Sequence, residues 1–125
     1  MSLYVITFIF NIWIGCYDLT STQKWIDISQ FLKLKKGEMD EFDYEDKKIM
    51  ILNLNGEFCA SDRICTHAYV DLTGGILNES ERTVTCPLHL SSFDLKSGSA
   101  LNLPAEKPLE IYPMKKEKNK LLILI

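Results

Sequence analysis

This chain contains two histidines, and each stands close to a cysteine: Cys65-x-His67 and, 18 residues further on, Cys86-x-x-His89. Thiolate sulfur and imidazole nitrogen are the ligands of zinc and of iron–sulfur clusters, whereas hard cations are held by oxygen. Two buried cysteines with surface histidines beside them is the plainer reading, but it leaves the use of both histidines in matching pairs unexplained. Zinc fingers with two Cys and two His usually group like ligands on one element. Here each pair supplies one ligand of each kind. That mixture suits a binuclear centre with two unlike irons, one bound by both thiolates and the other by both imidazoles. Zinc remains the alternative metal.

Each pair follows a short β-prone run, so each is expected at the tip of a loop, with the two loops side by side. From residue 23 onward the apolar residues come in short runs broken by turn signals, the pattern of an all-β domain. The clearest local signal is "KIMILNLNGEFCAS", where runs at 49–54 and 57–61 flank Asn55-Gly56, a pair suited to a type I′ hairpin turn. Residues 24–28 read as a first strand, followed by a short turn or helical connection entered at Ser29. Further strands are expected at 75–77, 83–86, 92–94, 109–113 and 121–125, the last two joined by the polar turn "KKEKNK". The acidic stretch 38–46 reads as a solvated hairpin. "LPAEKPLEIYP", with three of the four prolines, reads as a rigid loop entering an edge strand.

The 125 residues suffice for one domain with a core and are too few for two ordinary ones. Charged residues at 25% and hydrophobic residues at 46% are the balance of a folded, soluble chain. A net charge of -3 without clustered Lys and Arg gives no electrostatic basis for a nucleic-acid partner or an anionic membrane surface. The cysteines, Cys16, Cys59, Cys65 and Cys86, are too few and too unevenly placed for a disulfide framework. Cys59, alternating with apolar neighbours, reads as a small core residue, and Trp13 and Trp25 as core or sheet-face residues.

Residues 1–22 hold the most apolar stretch, "LYVITFIFNIWIGC", which falls short of the ~20 residues of a membrane span. No Lys or Arg precedes Lys24, so a cleaved secretory signal is not expected either. The extension reads as an added strand or as residues upstream of the native start, with a membrane-surface anchor ranked third. The functional domain is assigned to 23–125.

"CTHAYVDLTGGIL" followed by "TCPLHLSSFDLKSGSALNLPAEKPLEIYPMK" resembles a Rieske-type [2Fe–2S] ferredoxin, the resemblance covering roughly Trp25 to Ile125. The resemblance rests on CTH, CPLH, FDL with its Ser-Gly turn, and the proline-bearing segment. It implies an antiparallel β-sandwich with a small two-loop cluster-binding subdomain, one [2Fe–2S] cluster per chain, and one-electron transfer without bond chemistry of its own. Cys65 and Cys86 would bind the inner iron, His67 and His89 the outer. The implied partners are a flavoprotein reductase and a redox acceptor such as an oxygenase component. The expected form is a monomer or weak oligomer, and the expected compartment is the cytoplasm.

Three departures from that pattern bear on the potential and the loop geometry. Val70 and Leu88 stand where high-potential members of the family place a disulfide between the loops, and these two side chains are expected to pack together. Ser91 keeps a hydroxyl donor to the cluster sulfurs, while Phe93 replaces a tyrosine donor. One donor fewer implies a potential in the low to middle part of the family range of about −150 to +300 mV. Leu90 replaces the usual glycine, so a side chain limits the positive φ that glycine would allow. Leu90 either shields the cluster or belongs to an apolar docking patch. A small subunit of a larger redox enzyme, of nitrite reductase or oxidase type, and a zinc-stabilised binding module are the remaining alternatives.

Overall fold

The computed structural model describes residues 23–88 and 90–125. The expectations for residues 1–22, including Trp13 and Cys16, and for His89 lie outside the described residues. The chain forms strands β1 (Trp25–Asp27), β2 (Met39–Tyr44), β3 (Lys47–Leu54), β4 (Glu57–Asp62), β5 (Ile76–Asn78), β6 (Thr83–Thr85), β7 (Ser92–Asp94), β8 (Ile111–Tyr112), β9 (Met114–Glu117) and β10 (Lys120–Leu124). Short 3-10 turns at Ser29–Lys33 and Leu72–Gly74 are the helical pieces among the described residues. Three antiparallel sheets result, ordered β1-β10-β9, β2-β3-β4-β8 and β5-β6-β7.

β3 is the strand on which the rest is assembled. Its sequence, "KKIMILNL", is continuously apolar over Ile49 to Leu52 because both of its faces are covered. Side chains alternate across a strand, so Ile49 and Ile51 enter one core with Ile28, Phe31, Leu34, Ala60, Tyr112, Leu121 and Ile123. Met50, Leu52 and Leu54 enter a second core on the other side, with Cys65, Leu72, Val84, Cys86, Phe93 and Leu95. The first core fills the sandwich between the β1-β10-β9 and β2-β3-β4-β8 sheets, and the second seats the β5-β6-β7 sheet and both cysteines. Each such aliphatic side chain contributes roughly 1.5–3 kcal/mol on burial. The buried Asn53 interrupts the run. Its amide donates to the Leu34 carbonyl at 2.8 Å and accepts from the Gly56 N–H at 2.7 Å.

The hairpin at Asn55-Gly56 is as expected: φ is 55° and 101° at the two residues, and Leu54 pairs with Glu57. The acidic stretch is the first arm of a second hairpin, β2 to β3, turning at Glu45 and Asp46. The polar run after Met114 departs from expectation. Met114–Glu117 is a strand on β10, and only Lys118 and Asn119 make the turn. Lys115 to Glu117 are exposed, so the strand is held by backbone pairing that leaves no apolar mark in the sequence. β8 is the expected edge strand, shortened to two residues.

The small sheet is braced on the β3–β4 hairpin at its far end. Glu79 accepts from the Asn55 N–H at 2.9 Å, and Arg82 pairs with Glu57 at 3.0 Å.

Candidate metal centre

The two predicted loops are built alike. Cys65 opens the first, and its N–H donates to the Val70 carbonyl at 2.9 Å. Cys86 opens the second, and its N–H donates to the Ser91 carbonyl at 2.7 Å. In both, a cysteine N–H closes on the carbonyl five residues ahead, which places the cysteine at the loop's base. The first base is extended by the Ile64–Asp71 bridge, the second by the Thr85–Ser92 pair of β6 and β7.

Both thiols lie in the core, at 3% and 0% exposure for Cys65 and Cys86, and both are free of disulfides. His67 is half-buried. The Sγ atoms of Cys65 and Cys86 and a ring nitrogen of His67 all lie within 4.8 Å of one another, and Cys65 Sγ is 3.0 Å from His67 Nδ1. Two sulfur donors and one nitrogen donor therefore converge, as a thiolate and imidazole site requires. Burial pushes the Cys86 thiol up, and the Cys65 thiol beside it adds to the rise. A cysteine binds a metal as the thiolate, so loading a metal here releases protons. Beside His67 the surface opens into a cleft of about 490 Å³ bordered by Lys47, Lys48, Asp62, Tyr69 and Tyr112.

Residues 24–113 match a family model described as the Rieske [2Fe-2S] domain. The chain belongs to this family. A ferredoxin component of a naphthalene 1,2-dioxygenase system from Pseudomonas aeruginosa is 32% identical over 82% of this chain and 96% of that protein. Among solved structures, the ferredoxin of carbazole 1,9a-dioxygenase from Nocardioides aromaticivorans matches with a TM-score of 0.69 at 26% identity, over 82% of this chain and 97% of that one. A complex of reduced oxygenase and oxidised ferredoxin in carbazole 1,9a-dioxygenase contains a chain that shares the fold. It gives a TM-score of 0.71 at 18% identity, over 79% of this chain and 91% of that one. The [2Fe–2S] cluster is thus the cofactor of this domain, and the converging Cys65, His67 and Cys86 fit it.

In this Rieske domain a third segment, running from Leu101 to Lys107, grips both loops. Thr66 Oγ1 donates to the Lys107 carbonyl at 2.8 Å, and the Ala105 N–H donates to Ser91 Oγ at 3.1 Å. Ser91 is fully buried, and so is Phe93, which packs in the core with no hydroxyl to offer. Val70 packs against the same core, whereas Leu88 is exposed. Leu90 takes the conformation its side chain was expected to limit: φ is 61°. It is exposed, with its carbonyl accepting from Asn102.

Sequence reasoning missed Arg63. Its side chain, 5% exposed, pairs with Asp43 at 2.8 Å, Glu41 at 3.2 Å and Asp71 at 3.4 Å. Asp43 and Glu41 belong to β2, and Asp71 closes the first loop, so one guanidinium ties that loop to the central sheet. The available signal was an arginine directly after a β-strand and two residues ahead of Cys65. Asp71 also caps the 3-10 turn, accepting from the Thr73 N–H at 2.9 Å and the Thr73 hydroxyl at 2.6 Å.

Proposed function

We propose that this chain carries single electrons between a flavoprotein reductase and an oxygenase component, with Cys65 and Cys86 holding one iron of the cluster and His67 and His89 the other. The observation that carries this reading is the convergence of two buried thiols and one half-buried imidazole within 4.8 Å at the bases of paired loops. His89 lies outside the described residues and enters by its place three residues after Cys86. When bound, the cluster supplies a centre that accepts and returns one electron.

The chain's own residues do the rest. The core around Cys65 and Cys86 keeps water from the thiolate side, while His67 faces the partly open surface. The Ala105 N–H occupies one lone pair of Ser91 Oγ, which leaves the Ser91 proton to be donated elsewhere, and the neighbouring cluster sulfurs are its proposed acceptor. Such a bond strengthens when the cluster is reduced. Ser91→Ala is therefore expected to lower the potential by roughly 50 mV, the scale of one hydrogen bond of about 1 kcal/mol at 59 mV per tenfold. An unchanged potential in a redox titration would remove Ser91 from this role.

Tyr69, Leu88, Leu90 and Leu103 are all exposed on the three segments around the site. An apolar rim beside the electron-exchanging imidazoles favours a protein acceptor over a small polar one. The relatives named as ferredoxin components of dioxygenase systems support an oxygenase as that acceptor. Among the described residues no helix is long and apolar enough to cross a membrane. The cytoplasm is the proposed compartment, and residues 23–125 the proposed functional unit.

An assay of iron, sulfide and zinc, read with the EPR spectrum before and after dithionite, tests the proposal. Two irons and two sulfides with a signal only after reduction, at an average g below that of an all-cysteine cluster, is the expected result. Stoichiometric zinc in a colourless protein would replace the carrier with a zinc-stabilised binding module.

A further inference from the structure

Leu90 poses a local problem. A branched, exposed side chain stands at φ 61°, the left-handed region that disfavours every residue but glycine and, less strongly, asparagine and aspartate. Such a conformation persists only where the surroundings enforce it. The enforcing group is on the third segment. Asn102 Oδ1 accepts from the Ser92 N–H at 2.7 Å, and Asn102 Nδ2 donates to the Leu90 carbonyl at 3.2 Å. One side-chain amide thus spans Leu90 and Ser92, the residues on either side of Ser91. Only one orientation of the amide serves both bonds, since the reverse would set oxygen against oxygen and nitrogen against N–H. The backbone next to Asn102 fixes it in turn, because the Leu101 N–H donates to the Ser92 carbonyl at 2.8 Å.

We propose that Asn102 is a positioning residue of the electron-transfer site: its amide clamps Leu90 in the left-handed conformation, and so holds the second ligand loop at the point where it leaves His89 and returns to Ser91. Leucine at this position makes the clamp necessary, since a glycine would adopt the same backbone without help. The Leu90 side chain is thereby kept outward on the exposed rim. This inference rests on the cluster reading above, and the wild-type iron content tests that reading separately. A colourless wild type would sink the cluster before any variant is compared.

The experiment is a double-mutant cycle on the holoprotein, with N102A, N102D, L90G and the L90G/N102A and L90G/N102D pairs. The readouts are the rate at which cluster absorbance bleaches at one fixed temperature and the reduction potential. N102A is expected to bleach about tenfold faster, the scale of two lost hydrogen bonds, and to shift the potential through Ser91. N102D keeps the acceptor for Ser92 but loses the donor to Leu90 and sets a carboxylate oxygen against that carbonyl, so it should also bleach faster than the parent, by about threefold or more. In the L90G background the same N102A change should cost about threefold or less. A tenfold cost in both backgrounds would make Asn102 a general brace with no bearing on Leu90, and overturn the proposal. So would an N102A or N102D protein that bleaches and titrates as the parent does. If N102A fails to load the cluster, N102D carries the comparison in both backgrounds.

Discussion

Exchanging His67 for cysteine is expected to leave a coloured, two-iron protein whose potential lies roughly 100 mV or more below the parent. The physical reason is charge. A neutral imidazole would give way to an anionic thiolate, and an added electron would then meet one more negative charge at the site. Clusters with four thiolates sit near −400 mV, against about −150 to +300 mV with two imidazoles. One exchange should recover a substantial part of that span. For a single electron, roughly 100 mV is about 2.3 kcal/mol. The position is half-buried at a loop tip, so a shorter side chain has room to approach. A redox titration followed by EPR reads the result, with the average g rising toward the all-cysteine value. A variant with full iron and an unmoved potential would show that His67 is no ligand.

Replacing Arg63 with methionine is the second large effect, and it acts through stability. The guanidinium is buried and its three carboxylate partners are 40% to 60% exposed. Removing the cation leaves Glu41, Asp43 and Asp71 facing one another without a counter-charge. Breaking a fully buried pair typically costs about 3–5 kcal/mol. The carboxylates keep much of their water, so about 2–3 kcal/mol is the expected loss here. Cluster release makes unfolding irreversible, so the comparison belongs at a single scan rate, read as an apparent Tm. Adding Asp43→Asn to the Arg63→Met protein should restore part of the loss by removing one of the three charges. An Arg63→Met protein as stable as the parent would mean that hydrophobic packing, not charge, holds the first loop to β2.

What was legible in the sequence was what is local or chemically rare. Asn55-Gly56 announced its hairpin because a type I′ turn is decided by two residues alone. Cys65, His67 and Cys86 announced their convergence because thiols and imidazoles in matching pairs have few other uses. The hidden features depend on partners far along the chain. Arg63 meets Asp43 across 20 residues, and Asn102 meets Leu90 across 12. No periodicity encodes either contact. β9 was hidden for a different reason, since an exposed strand held by its backbone has no apolar alternation to display. Leu90 was misjudged because propensity was read without the amide that overrides it.

The two-sided burial of β3 raises a question of addressing. Where one face of a strand meets water, a slip of one residue would expose its apolar side chains, and polarity alone forbids it. Around β3 a slip would exchange Ile49 and Ile51 with Met50 and Leu52, and every one of them would stay covered. Hydrophobicity cannot tell the two alignments apart. Asn53 can, because its amide finds the Leu34 carbonyl and the Gly56 N–H in one register only. In the slipped chain it would be buried without partners, at a cost of about 1–3 kcal/mol. The half of the molecule that holds the thiols is thus aligned by an asparagine whose own hydrogen bonds lie outside that half.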